Sequence, residues 1–258
     1  MEKILLFSDL HFTTGDTIIG LDPAVRFDEA LAHALADHSD ASHIIFMGDL
    51  THHGTVAEFT RLKDRFDALP LPYTVIPGNH DRRAPFAEVF GTEFQQSRLI
   101  TGTHTILCLD TLDESAPDKH SGWMDKARLS QVQDMLNQSD LPVIVIMHHA
   151  LTKTFFDGMD SIALRNGPAL GDILAASGKV RHIINGHIHR TIFTSHRGIP
   201  VAMIKSTCHQ MPLVLGHGSS SLSTVEPGAF GVLCLTGDHA VLHVEDVGLP
   251  GSASWITA

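Results

Sequence analysis

Short β-prone apolar runs recur along the chain: KILLF, HIIFM, YTVI, HTILCL, VIVIM, VRHII, VAMI, GVLCL and AVLHV. Each is strand-length and most are bounded by turn residues, which predicts strands. Amphipathic stretches lie between several of them. DPAVRFDEALAHALADH opens with Asp22 as a predicted N-cap and Pro23 at the first helical position, and Val25, Leu31 and Leu35 are expected to share its buried face. TVAEFTRLKDRFDAL places Thr55 three residues before Glu58, the spacing of a capping box. DKARLSQVQDMLNQ and PALGDILAAS predict two further helices. Strand alternating with helix implies a parallel or mixed sheet covered by helices. From about residue 198 the pattern turns to strands and Gly/Ser turns, and Ser219–Ser223 is expected to be a mobile loop. With no repeat and no linker, one domain over residues 1–258 is expected.

Composition narrows the function classes. Hydrophobic content of 43% and charged content of 18% are those of a globular chain. A net charge of −11 argues against a broad basic face for a nucleic-acid polymer, but not against a small anion held through a metal. The first apolar run is too short for a signal peptide and no run approaches a membrane span, so a cytoplasmic protein without membrane insertion is expected. Three cysteines without CxxC spacing, with Cys108 and Cys234 inside strand-like runs, read as buried reduced thiols. The 19 histidines outnumber the 18 lysines and arginines together, so imidazole is expected to serve more than solubility.

The chemistry gathers at strand ends. LLFSDLH ends on Asp9 and His11, IIFMGD on Asp49, VIPGNHD on Asn79, His80 and Asp81, VIVIMHH on His148 and His149, and HIINGHIH on His187 and His189. Any one of these alone reads as a loop with turn residues. Five, each directly after an apolar strand, are not independent accidents. In parallel α/β sheets ligands bind beyond the carboxyl ends of strands, so neighbouring strands would bring these side chains to one edge. Residues i and i+2 of a strand point the same way, so Asp9/His11 and His187/His189 would each offer two donors. Only nitrogen and oxygen donors are present, which predicts a two-metal site for Mn, Fe, Zn or Co rather than a soft metal, with residual positive charge for a phosphate.

In their order these segments, D-x-H, G-D, G-N-H-[DE], a strand-terminal His and G-H-x-H, resemble the signature of the calcineurin-like metallophosphoesterases across positions 9 to 189. MHHA at 147–150, MDSIALRNG at 159–167 and STCHQMP at 206–212 further resemble the bacterial class III cyclic nucleotide phosphodiesterases and glycerophosphodiesterases. The resemblance implies an α/β layered fold, central mixed sheets flanked by helices, with the metal site at strand C-terminal ends. It implies that Asp9, His11, Asp49 and His189 hold one metal, that Asp49 bridges to the second, and that Asn79, His148 and His187 complete it. Asn79 and His80 would also meet the substrate, with His80 as proton donor, and His209 would contact the substrate. Ala150 departs from the proline common after the paired histidines. His52 and His53 fall outside the ligand pattern and read as rim or surface residues, and Asp81 and His149 as orienting residues. The implied reaction is hydrolysis of a small phosphodiester by hydroxide formed between the metals, with a homodimer or higher homo-oligomer as the assembly. A phosphomonoesterase, a phospholipid-headgroup hydrolase and a non-catalytic binding scaffold on the same fold remain alternatives. No adenine-stacking platform is evident: beyond Phe there are only Tyr73, Trp123 and Trp255, and Phe12 is either a rim aromatic or plain packing.

Overall fold

The computed structural model describes residues 1–249; Trp255 lies outside them. In chain order the elements are β1 (Glu2–Phe7), α1 (Pro23–Asp37), β2 (His43–Met47), α2 (Val56–Asp67), β3 (Tyr73–Ile76), α3 (Arg83–Phe90), β4 (Ser97–Ile100), β5 (Thr105–Leu109), α4 (Lys126–Asn137), β6 (Val143–Met147), α5 (Asp157–Ser161), α6 (Gly167–Ala176), β7 (Val180–Asn185), β8 (Ile192–His196), β9 (Ile199–Met203), β10 (Ala229–Thr236) and β11 (His239–Asp246). None of the described helices is long and apolar enough to cross a membrane.

The strands form two mixed sheets, ordered β11-β10-β1-β2-β3 and β4-β5-β6-β7-β9-β8. In the first, β1, β2 and β3 run parallel; in the second, β5, β6, β7 and β9 do. The five donor-bearing strands are therefore divided, three in one sheet and two in the other, rather than neighbours in a single sheet. β2, β5 and β6 are buried at every position, so each needs cover on both faces. Ile4, Leu6, Ile45, Met47 and Ile76 of the first sheet meet Ile106, Cys108, Ile144, Ile146 and Ile184 of the second in an inner core. The outer faces are covered by α1–α3 on one side and by α4 and α6 on the other.

The helix starts follow the sequence. Asp22 accepts from the amides of Ala24 and Val25, and Thr55 and Glu58 form the full capping box. Glu58 is buried and also accepts from the amide of His53, so the cap of α2 holds the loop after β2. In α1 the buried face differs from the expected one: Phe27, Ala30 and Ala34 are buried, whereas Val25 is half exposed and Leu31 and Leu35 only partly covered. Phe12 is core packing, not rim, with the Arg65 guanidinium 4.7 Å above its ring. Trp123 is exposed beneath Arg165. All three cysteines are free thiols, Cys108 and Cys208 buried and Cys234 partly so. Burial pushes the Cys108 thiol up to about 12.

Phe46 anchors the outer core of the first sheet. Its ring stacks on Phe66 at 4.2 Å and touches Phe7, Phe27 and Tyr73. Phe46→Ala is expected to cost about 3–5 kcal/mol in urea unfolding, because so enclosed a site collapses poorly. A cost under about 1 kcal/mol would contradict this packing.

Candidate metal centre

Each donor segment begins where its strand stops. Asp9 and His11 follow β1, Asp49 follows β2, Asn79 and His80 follow β3, His148 follows β6, and His187 and His189 follow β7. The structure brings all of these together between the carboxyl ends of the two sheets. The reason that i and i+2 pairs converge is not strand alternation. Asp9, His11, Asp49, His187 and His189 all lie beyond their strands with φ between 46° and 69°. These left-handed residues curl the chain so that both members of a pair turn inward, at about 1–3 kcal/mol of strain each. Two glycines permit the two edges to meet: a Cβ on Gly48 would strike the His148 ring, and one on Gly186 would strike Ser8 and Asp9.

The distances define two groups of donors around Asp49. On one side, His189 Nε2 stands 3.2 Å from Asp9 Oδ1 and 3.1 Å from His11 Nε2. On the other, His148 Nε2 stands 3.2 Å from Asn79 Oδ1, and the His187 ring lies 5.0 Å from that of His148. Asp49 Oδ2 is 3.6 Å from His11 Nε2 and 3.5 Å from His148 Nε2, so one oxygen faces both groups. Its Oδ1 accepts from the His80 amide at 2.8 Å. Asp9 also accepts from the His187 amide, across the two sheets.

Hydrogen bonds decide which ring nitrogens face inward. His148 Nδ1 donates to Met47 O, His187 Nε2 to Ile162 O and His189 Nδ1 to His209 O. That turns Nε2, Nδ1 and Nε2, respectively, inward, each a free lone pair when its ring is neutral. Asn79 Nδ2 donates to His120 Nδ1, turning Oδ1 toward His148. Asp81 accepts from the amides of Leu50, Thr51 and Gly78, tying the loops after β2 and β3 together rather than orienting a donor side chain. Burial and the neighbouring Asp49 charge push it up to about 7, against those three N–H donors. His149 is buried with its nitrogens engaged by Thr111 and His120 O.

The charges fit a cation site. Burial works against a charged His148, but Asp49 and Asp9 outweigh it and lift the ring to about 9. Burial likewise opposes a charged His189, and Asp9 overcomes it. His187 is held down to about 3 by burial and by His148. Protons thus take up part of the role that cations would play between these lone pairs. Asp9, His11, Asp49 and His189 present four donor atoms within 4.8 Å of one another, a set that could hold a metal ion.

A cavity of about 330 Å³ opens over this cluster, walled by Ile18, Ile19, Met159, Ile162, Met211 and Ser220–Ser223. The serine stretch therefore lies at the cavity. His80 donates from Nδ1 to His52 O, leaving Nε2 free. His209 sits 4.5 Å from the His189 ring and 5.1 Å from that of His11, with its Nδ1 buried and unpartnered. Burial and nearby imidazoles push it down to about 3. His52 also lines the cavity, stacked on His80 at 5.0 Å, with Nδ1 3.2 Å from His11 Nδ1; burial and His80 lower it to about 4. His53 is an exposed residue paired with Asp16. His120, beside Asn79, had no signal in the sequence: it follows no strand.

The calcineurin-like phosphoesterase model matches residues 2–191. A probable cyclic nucleotide phosphodiesterase of Rhodopseudomonas palustris is 32% identical, covering 93% of this chain and 91% of its own. A probable glycerophosphodiester phosphodiesterase of Arcobacter nitrofigilis is 31% identical over 71% of this chain and 70% of its own. In fold the chain resembles a dimetal phosphatase of Danio rerio, with a TM-score of 0.72, 14% identity and 95% and 96% of the two chains covered. Two helix-covered mixed sheets, the ordered donor segments and these matches agree: the chain belongs to the calcineurin-like phosphoesterase family and is a metallophosphoesterase.

Proposed function

We propose that the protein hydrolyses small phosphodiesters, of the cyclic nucleotide or glycerophosphodiester type, at a centre of two divalent ions, acting as one domain over residues 1–258. The observation that carries this reading is Asp49 Oδ2, facing His11 on one side and His148 on the other. Asp9, His11 and His189 would hold one ion, Asn79, His148 and His187 the other, and Asp49 both. Four imidazoles among seven ligands favour Mn or Fe, then Zn or Co, over Mg. Two such ions supply Lewis acidity toward the phosphoryl group and a water acidified toward neutral pH. The names of the two relatives support a diester substrate.

The chain's own residues do the rest. The His80 amide anchors on Asp49 and its Nδ1–H on His52 O, so Nε2 is the atom that, on the protonated ring, would give its proton to the leaving alkoxide and return the ring to its neutral Nδ1–H form. His209, at the cavity wall beside His11 and His189, would hold the far substituent of the diester.

Dialysis against a chelator is expected to abolish hydrolysis of bis(p-nitrophenyl) phosphate, and Mn²⁺ to restore it better than Mg²⁺. Faster turnover of p-nitrophenyl phosphate than of the diester would sink the diester assignment. Asp49→Ala is expected to lower bound metal and activity together, measured by elemental analysis and rate on one preparation; two retained ions with near-normal turnover contradict the bridge. His80→Ala is expected to lower kcat about 10²- to 10⁴-fold on a diester with a poor leaving group, with metal content unchanged. An unchanged kcat removes His80 as the proton donor.

A further inference from the structure

The four histidines at the centre are not held alike. His148, His187 and His189 each give one N–H to a main-chain carbonyl. Among the described residues His11 has no such carbonyl. Its Nε2 faces His189 and Asp49, and its Nδ1 meets Nδ1 of His52 at 3.2 Å. Two imidazole nitrogens at that distance hold one proton between them, one donating and one accepting. An Nε2 that offers its lone pair inward leaves the proton of a neutral ring on Nδ1. His11 is then the donor, and His52 accepts through Nδ1.

We propose that His52 is the positioning residue of His11: its Nδ1 lone pair fixes the ring angle and tautomer that turn His11 Nε2 toward the metal. This rests on the metal centre proposed above. The His52 ring is itself held. Its amide donates to Phe12 O at 3.1 Å, and its face stacks on His80 with 19° between the planes. The bond also spans two donor loops, the one after β1 and the one after β2. A partner on a different segment sets the ring where no carbonyl of the described residues reaches it. With Nδ1 accepting, His52 keeps its one N–H on Nε2, on a ring that lines the cavity.

The competing role is packing alone, as a flat ring against His80, and two substitutions separate the roles. His52→Asn keeps an acceptor near the Nδ1 position but loses the ring. His52→Phe keeps the ring but loses the acceptor. The readout is Mn²⁺ binding to the full chain, by competition with a chelator and electron paramagnetic resonance of free Mn²⁺, with thermal unfolding of the metal-free variants alongside. In His52→Phe one of two ions is expected to bind about 10- to 100-fold more weakly, and in His52→Asn to stay within a few-fold of wild type. The reverse order, or two ions bound by His52→Phe as tightly as by wild type, overturns the role of His52 while leaving the centre standing. Wild-type protein that takes up no Mn²⁺ sinks the metal centre itself, and this inference with it.

Discussion

Asp9 and Asp49 are buried, and among the described residues every cation-forming side chain paired with them is a histidine. A carboxylate withdrawn from water without a permanent counter-charge is costly, and the cost is met either by protons on nearby rings or by a metal. The surrounding architecture answers that constraint. Imidazoles crowd within contact of one another, and with the two carboxylates they form a donor set that could hold a metal ion. The strained left-handed turns and the side-chain-free positions at 48 and 186 bring the two sheet edges close enough for those rings to share it.

The division of labour between the two sheets follows. Asp9 and Asp49 come from the first sheet, His148, His187 and His189 from the second, and contacts such as His187 N to Asp9 stitch them together. The inner apolar core sets the spacing of the sheets, and the metal chemistry occupies only the end where that core runs out. A centre assembled this way needs little from any one loop, because each segment contributes one or two donors and its strand sets where they emerge.

Much of this was legible in the sequence. Asp22 and Thr55 begin their helices as their side-chain chemistry dictates, and the donors at strand ends were visible because a buried strand that stops on Asp or His is an unusual place for polarity. The partition into two sheets was not legible, since apolar runs say that a strand is covered without saying by which neighbour. β4 and β8 were missed because edge strands such as SRLI and IFTSH are half exposed and mix polar with apolar residues. Arg83–Phe90 was missed as a helix because no side chain caps it and Pro85, though tolerated in a first turn, reads as a breaker in sequence. Val25 misled because periodicity cannot tell which of two apolar stripes on a helix is buried. His120 and His52 reach the site through tertiary placement, His120 from a loop between β5 and α4 and His52 from past the donor Asp49. No local pattern marks His120, whereas His52 reads as a rim residue and only its pairing with His11 is invisible in the sequence.

β1, the first strand, is flanked on one side by β10, near the end of the described chain, and Ser206 Oγ closes on the carbonyl of Asp9 from 197 residues away. Bringing such distant segments together carries a loop-closure cost that no local contact offsets early. On a ribosome, β1 would emerge with one edge unpaired until β10 follows it. Until then its open edge is a template for the wrong partner. The topology thus leaves β1 open to mispairing for the interval between its own synthesis and that of β10.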